Sequence, residues 1–85
     1  MMKKFFIGLS LLLMSLVAVA QPLNINTATA IEISQAMTGV GPAKAEAIIK
    51  NRKEHGQFKS LDEMTRVKGI GVATIEKNRK NISIE

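Results

Sequence analysis

A glycine triplet that occurs twice constrains this chain more than any other feature. Gly39-Val40-Gly41 recurs thirty residues on as Gly69-Ile70-Gly71, and the register holds downstream: Ala43 matches Ala73, Glu46 matches Glu76, Lys50 matches Lys80 and Asn51 matches Asn81. Self-similarity at such a period marks a supersecondary unit used more than once. A short helical pattern precedes each triplet, with Ile33 and Met37 four apart and Met64 and Val67 three apart. Each unit therefore reads helix, tight glycine turn, helix.

Local signals bound the helices. Thr29-x-x-Glu32 has the form of a capping box, and Ser60-x-x-Glu63 repeats it. Pro42 follows the first triplet, where its fixed φ suits a first helical position. Gly56 after His55 is a natural helix stop. These signals predict helices near residues 29–37, 42–54, 60–66 and 72–80, an extended entry over 23–26 and a connector over 56–59. The second predicted helix places Ala45, Ile48 and Ile49 on one face, and the fourth does the same with Val72, Ile75 and, less regularly, Ile82. A unit below roughly 40 residues buries too little apolar surface to stand alone. The two units, about 29–54 and 60–82, are therefore expected to pack together about a pseudo-two-fold axis as one all-α domain over 21–85. Phe58 and Leu61 would seal the contact, and Leu23, Ile25 and Ile84 would close the ends.

The first twenty residues have a different character. Met1 to Lys4 is a short basic stretch, Phe5 to Val17 is apolar apart from Gly8, Ser10 and Ser15, and Ala18-Val19-Ala20 presents small residues. That order is the pattern of a secretory signal peptide over 1–20. It predicts cleavage at Ala20-Gln21 and a periplasmic or secreted product without stable membrane insertion; the competing reading is an uncleaved anchor, for which the sixteen residues from Phe5 to Ala20 fall short of the roughly 20 apolar residues a spanning helix needs. The chain has no Cys, so neither disulfides nor cysteine-based metal sites hold it together. Setting aside Lys3 and Lys4 leaves ten basic and seven acidic side chains, a net charge of +3. That mild bias suits a polyanionic partner. From residue 21 onward Phe58 is the sole aromatic, which disfavours single-strand binding through stacked bases.

The turns carry the candidate chemistry. Gly39, Gly41, Gly69 and Gly71 permit unusual φ values and close approach of another backbone. Val40 and Ile70 can point inward as anchors. The first N–H groups of the following helix lack internal partners and sit at the positive end of its dipole. A phosphate can accept from them. Ala43 and Ala73 contribute such positions, and Lys44 and Thr74, third after each triplet, add an ammonium and a hydroxyl. Lys68 immediately precedes the second triplet, and Lys77 lies on the side of the fourth helix away from Ile75, with Lys80 and its counterpart Lys50. Contacts of this kind position a duplex without reading its bases. Arg52 and Arg79 lie near the apolar stripes and are expected to pack their stems there.

These residues, with Ala43-Lys44-Ala45 and Ile48-Ile49 after the first triplet, resemble the tandem helix-hairpin-helix domain, a SAM-like small helical bundle. Leu23-Asn24-Ile25-Asn26-Thr27-Ala28, the first hairpin, His55-Gly56-x-Phe58-Lys59-Ser60 and the second hairpin together resemble the short periplasmic form of the ComEA-type DNA receptors of natural transformation. The resemblance spans essentially all of 21–85. It implies non-sequence-specific binding of double-stranded DNA through backbone phosphates across the minor groove. It also implies a role in DNA uptake alongside other uptake machinery. Related hairpins can hold a monovalent cation through loop carbonyls; no side chain here encodes one. Two positions depart from the pattern: Thr38 stands where a proline commonly precedes the first glycine, and Ile31 replaces a polar residue.

No enzyme is expected. Some DNA glycosylases with such a hairpin carry a catalytic Lys just after the turn and a later Asp. Lys44 falls one place too late, Asp62 is the sole Asp, and no second domain is present to enclose a flipped base. An alternative function stays open, because similar paired hairpins also serve as protein-interaction modules and fold alone does not separate the two.

Overall fold

The computed structural model describes residues 21–85; the expected signal peptide lies outside the described residues. The elements are β1 (Leu23–Asn24), α1 (Ala30–Ala36), α2 (Pro42–His55), a 3-10 helix (Asp62–Arg66), α3 (Val72–Asn78) and β2 (Ile82–Ser83). They make a small, mostly helical domain.

The capping box at α1 forms as predicted. The Glu32 N–H donates to Thr29 Oγ1 at 3.2 Å, and the Thr29 N–H donates to Glu32 Oε1 at 2.9 Å. Pro42 opens α2, and Gly56 closes it at φ 85°, a left-handed value that favours glycine. Arg52 and Lys53 occupy the last turn of α2, where cationic side chains complement the helix dipole.

The third helix is a five-residue 3-10 segment rather than an α-helix. Its predicted capping box is altered. The Glu63 N–H donates to Ser60 Oγ at 3.2 Å, but the Glu63 carboxylate accepts from the Lys59 N–H instead of the Ser60 N–H. Thr65 Oγ1 also turns back onto the Asp62 carbonyl at 2.9 Å. Such local side-chain bonds compete with regular α-helix. The fourth helix ends at Asn78, two residues earlier than predicted, because the Asn78 carbonyl accepts from the Asn81 N–H at 2.8 Å and the chain turns into β2.

The domain is mostly helical, as expected, and a two-stranded parallel ladder of two residues per strand is added to the helices. Leu23 pairs with Ile82 and Asn24 with Ser83. A parallel pair needs a long crossover, and here the helices between the strands supply it. Asn26 locks this closure. Its Nδ2 donates to the Phe58 carbonyl at 2.9 Å and the Ile84 carbonyl at 3.0 Å, and its Oδ1 accepts from the Phe58 N–H at 2.8 Å. Entry, connector and exit are thereby joined at one side chain. Arg52 adds a second tie, donating from Nη1 to the carbonyls of Ile25 at 2.6 Å and Ala28 at 2.9 Å.

The core follows the repeat. Met37 and Val67, Val40 and Ile70, and Ala45 and Ile75 are three matched pairs, all buried. Phe58, Ile25, Ile33, Ile48, Met64 and Ile82 complete the interior, with Leu23, Ile49, Leu61 and Ile84 half-buried around it. Val72 is a correction: it is 68% exposed rather than part of the buried stripe. It occupies the first position of α3, as Pro42 does in α2, and a helical Cβ leans toward the N-terminus. The side chain is directed past the end of the helix, and the stripe begins at Ile75.

Candidate nucleic-acid interface

Each glycine triplet closes a β-turn. The Val40 N–H donates to the Met37 carbonyl at 3.4 Å, and the Ile70 N–H to the Val67 carbonyl at 3.0 Å. Gly39 and Gly69 occupy the third turn position at φ 82° and 95°. A third position of that kind defines a type II turn and favours glycine. Val40 and Ile70 point into the core, so only their backbone is available at the turn surface.

Backbone conformation does not explain the second glycine of each triplet. Gly41 (φ −84°, ψ −175°) and Gly71 (φ −105°, ψ 176°) are extended, a conformation open to any residue. A Cβ built on either meets nothing within 4 Å. Among the described residues, neither local geometry nor packing requires glycine at these two positions. What glycine does there is leave the helix entrance bare. Neither α2 nor α3 has a side-chain cap or an acidic residue in its first turn. The early N–H groups, at Ala43 and Lys44 and at Val72, Ala73 and Thr74, are free of intrahelical partners. Pro42 has no N–H to offer.

The two turns lie side by side. A Cβ at Gly69 would meet Lys44 Cε at 3.5 Å, Cγ at 3.7 Å and Cδ at 3.8 Å. The Lys44 stem, which follows the first turn, therefore runs across the glycine of the second. A reciprocal contact runs the other way: Asn78, at the end of α3, hydrogen-bonds the backbone of Thr38 in the first turn. Gly39, Gly41, Ala43, Lys44, Lys68, Gly69, Gly71, Ala73 and Lys77 are exposed, and Thr74 is half-buried. Among the described residues, the salt bridges are made by arginines: Arg66 with Glu63, and Arg79 with Asp62 and Glu76. Lys44, Lys68, Lys77, Lys50 and Lys80 take part in none of them. Arg79 is held above its ordinary pKa, chiefly by its hydrogen bond to Glu76 and then by that to Asp62, so it stays charged and committed to those carboxylates.

Replacing Gly69 tests the turn directly. These distances leave room for a methyl group, so Gly69→Ala costs mainly the left-handed backbone conformation, about 1–2 kcal/mol. In a domain of this size that lowers the melting temperature by roughly 4–16 °C. Thermal denaturation followed by circular dichroism reads it, and Gly71→Ala should leave the midpoint nearly unchanged.

Asn78 was not legible as a functional candidate. It takes the repeat position of Ile48, a core position, and is fully buried. A polar residue at an apolar register was the available signal.

The model of the family described as "Helix-hairpin-helix motif" matches residues 19–83. Among curated relatives, an uncharacterized protein of Haemophilus influenzae is 53% identical over 64 residues, covering 75% of this chain and 57% of that protein. ComE operon protein 1 of Bacillus subtilis is 48% identical over 62 residues, covering 73% of this chain and 30% of that protein. The human endonuclease/exonuclease/phosphatase family domain-containing protein 1 is 34% identical over 62 residues, again 73% of this chain but 11% of that protein, whose name describes the whole of it. The chain thus spans just over half of the first relative and smaller fractions of the other two. With two turn-and-helix units at the matched positions and a family match across nearly all the described residues, the chain belongs to the helix-hairpin-helix family.

Proposed function

We propose that the two hairpins form a tandem, pseudo-two-fold helix-hairpin-helix unit that binds double-stranded DNA through its backbone phosphates, without reading sequence. The observation that carries this is the side-by-side setting of the turns, with Lys44 crossing Gly69. One duplex can then meet both bare helix entrances, each presenting free N–H groups and no acidic side chain. Amides and lysines of this kind suit phosphate and carry no base preference.

Similarity to ComE operon protein 1, together with the pattern of residues 1–20, extends the proposal. In it the chain is exported, cleaved at Ala20-Gln21, and retains incoming DNA in the periplasm during natural transformation. The hairpins act as a holding device, without catalysis.

A salt titration tests the binding. With about four phosphate contacts, affinity for a random-sequence duplex should fall on the order of a hundredfold between 50 and 200 mM salt. A flat response would assign the surface to a protein partner instead. For the uptake role, a deletion strain should lose transformation; normal uptake there removes that role and leaves DNA binding standing.

A further inference from the structure

Asn78 is the buried polar residue of this core, and all its bonds are made. Its Oδ1 accepts from the Thr38 N–H at 2.8 Å, and its Nδ2 donates to the Thr38 carbonyl at 2.9 Å and the Thr74 carbonyl at 2.9 Å. The side chain thus brackets the peptide groups on both sides of one residue, forty positions away in sequence. That residue is the second position of the first type II turn, directly before Gly39. Proline is common at this position because its ring fixes φ. Met37, at φ −100° and ψ 119°, already has the extended backbone that a following proline demands. Thr38 has no such internal restraint.

The second turn is built differently. Lys68 is the counterpart of Thr38, and Ile48 is the counterpart of Asn78. Among the described residues, no side chain hydrogen-bonds the Lys68 backbone; that turn has the Lys44 stem against Gly69 instead.

We propose that Asn78 is the positioning residue of the first turn. From the second hairpin it holds the Thr38 peptide groups in place of a turn proline, and so sets the alignment of the first duplex-facing bend against the second. This rests on the DNA-binding function proposed above. It explains how the first turn keeps its geometry without a proline, and why a polar residue occupies a register otherwise filled by Ile48.

Hydrogen exchange on the unaltered protein addresses the clasp alone. After correction for intrinsic rates, the Thr38 N–H should exchange at least about tenfold more slowly than the Lys68 N–H, as expected for a bonded rather than a solvent-facing amide. Equal rates overturn the clasp, whatever the protein binds. Asn78→Leu then removes both polar atoms at similar volume. Duplex affinity should fall about tenfold and the salt slope by about one phosphate's worth, roughly 0.9. Adding Thr38→Pro should restore both, since proline has no N–H to orphan and fixes φ by itself. Adding Thr38→Ala should not. A folded Asn78→Leu variant with an unchanged salt slope overturns the positioning role, as does a folded double variant that proline fails to rescue. Absence of duplex binding by the unaltered chain defeats the DNA function and the affinity part of this proposal, while the exchange comparison still decides whether Asn78 fixes the turn.

Discussion

The double variant Gly41→Glu/Gly71→Glu should lose duplex binding by at least two orders of magnitude while keeping its fold. Both glycines have extended φ values, and a Cβ on either meets nothing within 4 Å, so neither substitution strains the chain. A carboxylate at a helix N-terminus is favourable to the helix itself, by about 0.3–1 kcal/mol. The same carboxylate occupies the space a phosphate oxygen would enter and repels it. Stability and binding should therefore separate: melting temperature within a few degrees of the parent, duplex retention lost in a gel-shift or fluorescence-anisotropy assay. Gly41→Ala/Gly71→Ala is the steric control and should weaken binding less. Tight binding by the double Glu variant would show that the bare helix entrances are not where DNA sits.

Phe58→Ala should largely unfold the domain. Phe58 is 1% exposed, and its backbone N–H and carbonyl are both held by Asn26. The Arg66 guanidinium lies 4.3 Å from the ring centroid. Truncating a buried phenylalanine costs about 3–5 kcal/mol. A domain of this size has a total stability of roughly 3–10 kcal/mol, and the chain has no Cys to staple it. The melting temperature should drop by more than about 15 °C. A drop of only a few degrees would mean that the connector is not the keystone joining entry, exit and the two hairpins. Arg66→Ala should cost less than that, about 1–2 kcal/mol, because the partly exposed guanidinium contributes the cation–ring contact and not the burial of the ring itself.

These two sites illustrate how differently residues announced themselves. The glycine triplets were evident because a tight turn imposes its requirement on adjacent residues. Thr29 with Glu32, and Pro42 and Gly56 at the two ends of α2, were legible for the same reason: a cap is satisfied within one turn of the chain. Helical spacing marks Ala45, Ile48 and Ile75 as core, and the place of Val40 and Ile70 between two turn glycines marks them as inward anchors; all five are buried. Where short-range signals competed, prediction slipped. Ser60 and Glu63 have the letters of a capping box, yet Glu63 reaches Lys59 and the segment winds as a 3-10 helix. Val72 has the spacing of the buried stripe but stands at the first helical position, where its side chain leaves the core.

Two helix-turn-helix units, the positions of their turns and the apolar faces that pack can all be read from residue order. Each of these depends on interactions between residues a few positions apart, where spacing maps directly onto geometry. That Lys44 lies across Gly69, that Asn78 holds Thr38, that Asn26 joins Phe58 to Ile84 and that Leu23–Asn24 pairs with Ile82–Ser83 emerges when the hairpins come together. Those contacts link residues 25 to 60 positions apart. Their partners are chosen by how the two hairpins dock, and docking depends on the summed shape of both apolar faces rather than on any local pattern.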